Sequence, residues 1–216
     1  MNPHYLSPDQ RYALIKKNVD CLKLIQLGLT LSTSDRGDGI VITWEFNFRG
    51  FNKLQDMHAP SSIQLLESQG HNLWMNYYHG IDPRRFADLL RSSGLLNNQL
   101  PKIWIGFHMA YDIAYLIKVL IGKELPDSME EFLKLVRGCF GFNIYDIKHL
   151  CKSCNLYGGL ERVAGSLNVQ RTAGFSHHAG SDSLLTWQTF RRMTTNFYCG
   201  GIEARQAGVL FGIQDS

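Results

Sequence analysis

Two stretches of this chain place acid, base and metal-binding residue types where hydrolytic chemistry could use them. The first is His177-His178-Ala179-Gly180-Ser181-Asp182-Ser183-Leu184-Leu185-Thr186-Trp187, a polar loop of small residues running into an apolar helix. Asp182 and Ser183 are expected at the helix N-cap, with Leu184 opening the buried run. A carboxylate at a helix start can hold a metal ion, and a histidine five residues before it can take a proton from water. The same pattern also reads as a capped helix after a surface loop. In the second stretch, Ile103 to Met109 reads as a buried strand. Ala110-Tyr111-Asp112 then opens a helix with Ile113, Leu116, Ile117, Leu120 and Ile121 at helical spacing. Asp112 therefore falls just past a strand end, where open α/β sheets place their sites.

Four motifs, F-H-x-x-Y-D-x-x-Y-L, Y-D-I-K-H-L, L-Y-G-G-L-E-R-V-A and H-x-A-G-S-D-S-L-L-T, together resemble the deadenylase subunit of the CCR–NOT complex. This is the CCR-associated factor family, within the DEDDh exonucleases of ribonuclease H-like fold. The resemblance runs from about Tyr12 to Ile213. It implies 3′-to-5′ removal of poly(A) tails from messenger RNA with a pair of magnesium or manganese ions. By position, Asp112 matches the third metal-binding carboxylate, Asp182 the fourth and His177 the general base. Phe107 and Tyr111 could stack on adenine, as in single-strand recognition, or serve packing. The implied partners are poly(A) RNA, the CCR–NOT scaffold and a leucine-rich-repeat deadenylase, and the implied location is cytoplasmic and nuclear.

The chain departs from the pattern in places. His178 stands where the family usually has glutamine, Met109 replaces a common serine or glycine, and Ala114 a common glycine. The family's first motif is a strand carrying D-x-E, upstream of the helix that begins here near Ser7. No D-x-E occurs in the chain, so two of the four expected carboxylates are not in it. The expected fold is α/β, a ribonuclease H-like mixed sheet flanked by helices without its first, central strand. The expected domain is residues 1–216 as one unit, N-terminally incomplete, with two long apolar strand edges unpaired. The expected activity is that of a deadenylase crippled in this form; the alternative is a non-catalytic adaptor of the same complex.

The whole chain sets looser bounds. At 216 residues, 44% hydrophobic and 12% aromatic, it can bury a sizeable core. A net charge of +3 permits RNA binding without indicating it. No run approaches a membrane span and the start is not a signal peptide, so no membrane partner is expected. Five scattered cysteines suit a reduced, intracellular protein.

Local signals organise the rest. Ser7-Pro8-Asp9-Gln10 is a capping box opening a helix to about Val19. Leu22 to Leu31 and Ile40 to Phe48 alternate around a polar turn and predict a hairpin. Glu45 falls on the side away from the large apolar residues and reads as a solvated or edge carboxylate. Asp82-Pro83 caps a helix with Phe86, Leu89 and Leu90 inward, and Ser128-Met129-Glu130-Glu131 opens another. Phe142 to Ile147 reads as a strand, and Leu160 to Leu167 as a helix. Cys151 and Cys154, with His149 nearby, admit a zinc reading, but no second ligand pair has matching spacing, which favours buried helix thiols. After Asp182 the last helix carries Trp187, Phe190, Met193 and Phe197 as expected core contacts.

Overall fold

The computed structural model describes residues 6–34, 39–96 and 102–214. Its elements run α1 (Pro8–Cys21), β1 (Gln26–Ser32), β2 (Val41–Asn47), α2 (Pro60–Ser68), α3 (Leu73–His79) and α4 (Pro83–Ser92). They continue with β3 (Trp104–Gly106), α5 (Ala110–Ile121), α6 (Met129–Phe140), β4 (Ile144–Asp146), α7 (Ile147–Ser153), α8 (Leu160–Ser166) and α9 (Ala179–Phe197).

Side-chain chemistry sets several of the starts. Ser7 and Gln10 form the reciprocal capping box of α1, with Pro8 at the first helical position. Asp82 accepts from the backbone N–H of Arg84 and Arg85 at the start of α4. Asp82 also pairs with Arg49, and that guanidinium holds its carboxyl below the usual range. In α4 the inward residues are Phe86, Ala87 and Leu90, whereas Leu89 points outward. The helix α3 has no strong apolar period and was not foreseen; Asn72 caps it by accepting from Met75 N–H.

The main core joins α1, α4, α5 and α6. Tyr12 stacks on Phe132 with ring centroids 4.9 Å apart, and Ile113, Ala114 and Ile117 of α5 are fully covered. Tyr12 also donates its hydroxyl to the Pro126 carbonyl at 2.6 Å, so a buried ring keeps a satisfied polar end. A second cluster gathers Ile147, Leu150, Cys151, Val163 and Met193 around α7, α8 and α9.

Among the described residues the strands form two separate sheets. β1 and β2 pair antiparallel, with Gly28 opposite Glu45 and Thr30 opposite Thr43, while β3 and β4 pair parallel. α9 lies across the small, polar face of the hairpin. A Cβ on Gly28 would overlap the Ala179 carbonyl oxygen, so only glycine permits this approach. Thr30 and Ser183 hydroxyls meet at 2.9 Å across the same contact. The large apolar face turns the other way, where Leu27 and Phe46 join the main core but Ile42 and Trp44 remain exposed.

Candidate active site

The free edges of β1 and β3 face each other across a cleft of about 1190 Å³. α9 closes one side with Asp182, Ser183 and Thr186, and α4 and α5 close the other with Phe86, Ile113 and Leu116. Asp112, Asp182, His177 and Phe107 all line it. The cleft is thus a slot between two sheets and two helical layers, with strand edges as walls.

Asp112 sits in the first turn of α5, where the helix dipole favours negative charge. Its surface reaches solvent within the cleft, yet protein surrounds it at longer range. That desolvation, and secondarily the charge of Asp146, push its pKa up to about 6. Among the described residues no cationic side chain contributes to balancing it.

The turn that delivers Asp112 is held by Asp146, whose role the sequence reading missed. This carboxylate is fully buried. One oxygen accepts from the backbone N–H of His108 at 2.7 Å and of Lys148 at 3.0 Å; the other accepts from Met109 at 3.0 Å and Phe211 at 3.1 Å. Burial raises its pKa and those donors oppose the rise. The bonds pin the end of β3, where His108 adopts φ 57°, to the end of β4 and to the C-terminal segment. The sequence signal for it was its place in the Y-D-I-K-H-L motif, directly after Ile144 and Tyr145.

Asp182 lies in the first turn of α9, not at its N-cap. The helix begins at Ala179 with His178 as N-cap, and the Asp182 N–H donates to the His178 carbonyl at 2.8 Å. The small residues Ala179, Gly180 and Ser181 allow the extra turn to pack under the hairpin. Arg171 donates to Asp182 Oδ1 at 2.7 Å and also engages Glu161 and Ser181. This second unforeseen residue fixes the carboxylate and ties the loop before α9 to α8. His177 is exposed at that loop's end, with φ 66°, and its carbonyl accepts from His71 Nε2 at 3.1 Å.

The two aromatic candidates separate. Phe107 lines the cleft, with Lys148 Nζ 5.7 Å from its ring centroid. Tyr111 projects from α5 outside the cleft lining, and its hydroxyl accepts from Asn18 Nδ2 at 2.8 Å, tying it to α1. Trp187 also lines the cleft, with the Arg191 guanidinium 4.8 Å from its ring centroid, and Phe197 is exposed, so neither is a core residue as expected. Glu45 is also reassigned. It packs under α9, its Oε2 accepting from Gly180 N–H at 3.0 Å, because the polar face of the hairpin is the one α9 covers. Cys151 is a buried free thiol whose pKa burial raises to about 11.

A CAF1 family ribonuclease model matches residues 84–190, which include Asp112 and Asp182. Over 213 residues the chain is 43% identical to "Probable CCR4-associated factor 1 homolog 7" of Arabidopsis thaliana, covering 95% of this chain and 76% of that protein. The chain belongs to the CAF1 family of ribonucleases. It is also 41% identical over 209 residues to the poly(A) ribonuclease pop2 of Schizosaccharomyces pombe, covering 96% of this chain and 61% of that protein. The solved magnesium- and manganese-bound form of S. pombe Pop2p superposes with a TM-score of 0.88 at 41% identity, covering 96% of this chain and 82% of that one. CAF1 co-crystallised with the yeast NOT1 MIF4G domain superposes with a TM-score of 0.76 at 31% identity, covering 94% and 80%. The α/β fold of this CAF1 family chain is that of the Pop2 ribonuclease domain, with the two small sheets set on either side of the cleft.

Proposed function

We propose that this chain is a poly(A)-specific 3′-to-5′ exoribonuclease, a deadenylase subunit of a CCR4–NOT-type complex, with its reaction site in the cleft between β1 and β3. The observation that carries this reading is the meeting of Asp112, Asp182 and His177 on one cleft, from the start of α5, the first turn of α9 and the loop before it. The name of the pop2 relative supports poly(A) as substrate, and the structure with a NOT1 MIF4G domain supports a scaffold partner.

Asp112 and Asp182 would hold the divalent ions, since both present the hard oxygen ligands that magnesium and manganese take. The desolvated, unbalanced carboxylate of Asp112 fits a cation particularly well. Bound there, the ions supply water activation and stabilisation of the leaving oxygen. Arg171 keeps Asp182 in place, and the His71 bond to the His177 carbonyl steadies the loop from which His177 accepts a proton from attacking water. Phe107 offers a ring to an adenine entering the cleft.

Two carboxylates are too few to bridge and anchor two ions. The cleft, of about 1190 Å³, has room for a further segment. An extended segment with two acids spaced i, i+2 would carry both on one face and could pair with the edges of β1 and β3.

The deciding experiment is a time course of 5′-labelled oligo(A) on a denaturing gel with magnesium or manganese. The 216-residue polypeptide alone is expected not to shorten it. With a D-x-E strand fused upstream it should trim from the 3′ end. Asp112→Ala or Asp182→Ala should abolish trimming, and His177→Ala should slow it by about 100-fold or more. Robust trimming by the polypeptide alone, lost on Asp182→Ala, would overturn the shortfall of carboxylates. If the fused chain folds, binds a NOT1 MIF4G domain and never trims, the adaptor reading replaces the enzyme.

A further inference from the structure

Outside the lining of the cleft, three side chains from distant segments meet. Glu45 comes from β2, His71 from the turn between α2 and α3, and His178 from the N-cap of α9. One ligand atom from each lies within 4.8 Å of the others, and the two imidazoles pack with centroids 4.2 Å apart.

Hydrogen bonding fixes which nitrogen each ring presents. His71 Nε2 is 3.1 Å from the His177 carbonyl oxygen, and His178 Nε2 is 2.9 Å from that of Gln69. A carbonyl can only accept, so both Nε2 atoms carry hydrogen and each neutral ring turns a bare Nδ1 inward. His178 Nδ1 then faces Glu45 Oε1 at 3.9 Å, acceptor against acceptor. The main donor at hand is the Gln26 side-chain amide. Its two hydrogens stand within reach of three acceptors: His71 Nδ1 at 2.9 Å, Glu45 Oε1 at 3.3 Å and Asn47 Oδ1, the last also served by Asn76 Nδ2 at 3.4 Å. Acceptors outnumber donors in a partly buried place, which is the condition a bound cation relieves.

We propose that Glu45, His71 and His178 form a binding site for a zinc-class divalent cation. Two neutral imidazoles and one carboxylate make the mixed nitrogen and oxygen set zinc takes, leaving a position for water, and magnesium prefers oxygen alone. Ligating histidines generally donate their other N–H to a carbonyl or carboxylate, and both rings here already do so. Glu45 is likewise preset, its Oε2 accepting from Gly180 N–H. Binding requires the Gln26 amide to leave His71 Nδ1 and ligand atoms now up to 4.8 Å apart to close to about 3.4 Å, the spacing that tetrahedral bonds of about 2.1 Å impose. The ion would clip the hairpin, the α2–α3 turn and the start of α9 together, immediately behind His177.

The test is titration of the metal-stripped chain with Co2+ and then Zn2+, followed by visible absorption and by 15N signals of the histidine side chains. One equivalent of Co2+ should give the intense bands of a four-coordinate nitrogen and oxygen site, which Zn2+ displaces and excess Mg2+ does not. In the wild-type chain zinc should shift the Nδ1 resonances of His71 and His178, a readout that needs no variant to fold. His178→Gln, His71→Gln and Glu45→Gln should each weaken Zn2+ binding at least about tenfold. Asp112→Asn should leave it unchanged. The proposal is overturned by Zn2+ binding that those three variants leave intact. It is equally overturned by a folded wild-type chain that binds no Zn2+ and shows a proton on His178 Nδ1 shared with Glu45.

Discussion

His177 and His178 are adjacent in sequence yet belong to regions built in opposite ways. The cleft on the His177 side is wide, and among the described residues its wall strands have unpaired edges and its Asp112 has no balancing cation. The His178 side gathers three ligand atoms within 4.8 Å, and each of its side chains is already held by a backbone group or the Gln26 amide. The contrast separates two ways of making a metal site. In one, the fold positions isolated carboxylates and leaves room for substrate and further ligands. In the other, carbonyls and amides orient the ligands in advance and leave little room for anything larger than an ion.

The largest way to break the contrast is to remove Asp146, which sets the geometry of the cleft alone. Asp146→Asn places an NH2 against backbone N–H donors that now have an acceptor, and buried donors left unsatisfied cost about 1–3 kcal/mol each. A loss of about 3 kcal/mol or more is expected in denaturant unfolding, with the zinc response retained in whatever fraction stays folded. Gly28→Ala strikes the other region. The added methyl overlaps the Ala179 carbonyl, which is backbone and cannot swing aside, so α9 must shift from the hairpin. The cost should be about 1–3 kcal/mol, the scale of overpacking, and Zn2+ binding should weaken with it because Glu45 and His178 lie on the two sides of that contact.

Smaller changes sharpen the cleft. Phe107→Ala should weaken oligo(A) binding by about 1–3 kcal/mol, the usual worth of a stacked base, measured by fluorescence anisotropy. Tyr111→Phe should leave that affinity unchanged, because the hydroxyl it loses contacts Asn18 of α1. Equal effects of the two would mean that RNA spreads over α5 beyond the cleft. The smallest effect concerns pH. In the fold Asp112 holds its proton up to about 6, against an ordinary value of 3.8. The native state therefore binds more protons than the unfolded chain across that interval, and stability falls as pH rises from about 4 to 6. Above it the deficit persists until a cation binds. Thermal unfolding in chelator should show this decline in the wild type and a flatter profile in Asp112→Asn.

The sequence by itself determined what is local. Capping boxes and an Asx-Pro start positioned α1, α4 and α6, because each cap satisfies backbone donors within a few residues of itself. Apolar spacing likewise set the buried face of α5, and the motifs around Asp112 and Asp182 were legible as a family resemblance. Tertiary structure decided the rest. Alternation along the hairpin distinguished two faces but could not say which one a helix would cover. Gly28 and Thr30 let α9 approach the polar face, and so Glu45, read as a solvated or edge carboxylate, became a partly covered neighbour of two histidines. Asp146 read as one more residue of the strand Phe142 to Ile147 until a C-terminal N–H 65 residues away joined the donors on its carboxylate. Glu45 and its α9 contact at Gly180 lie 135 residues apart, with His71 between them in sequence. No local spacing encodes such a meeting, because it exists only once packing has brought the three segments together.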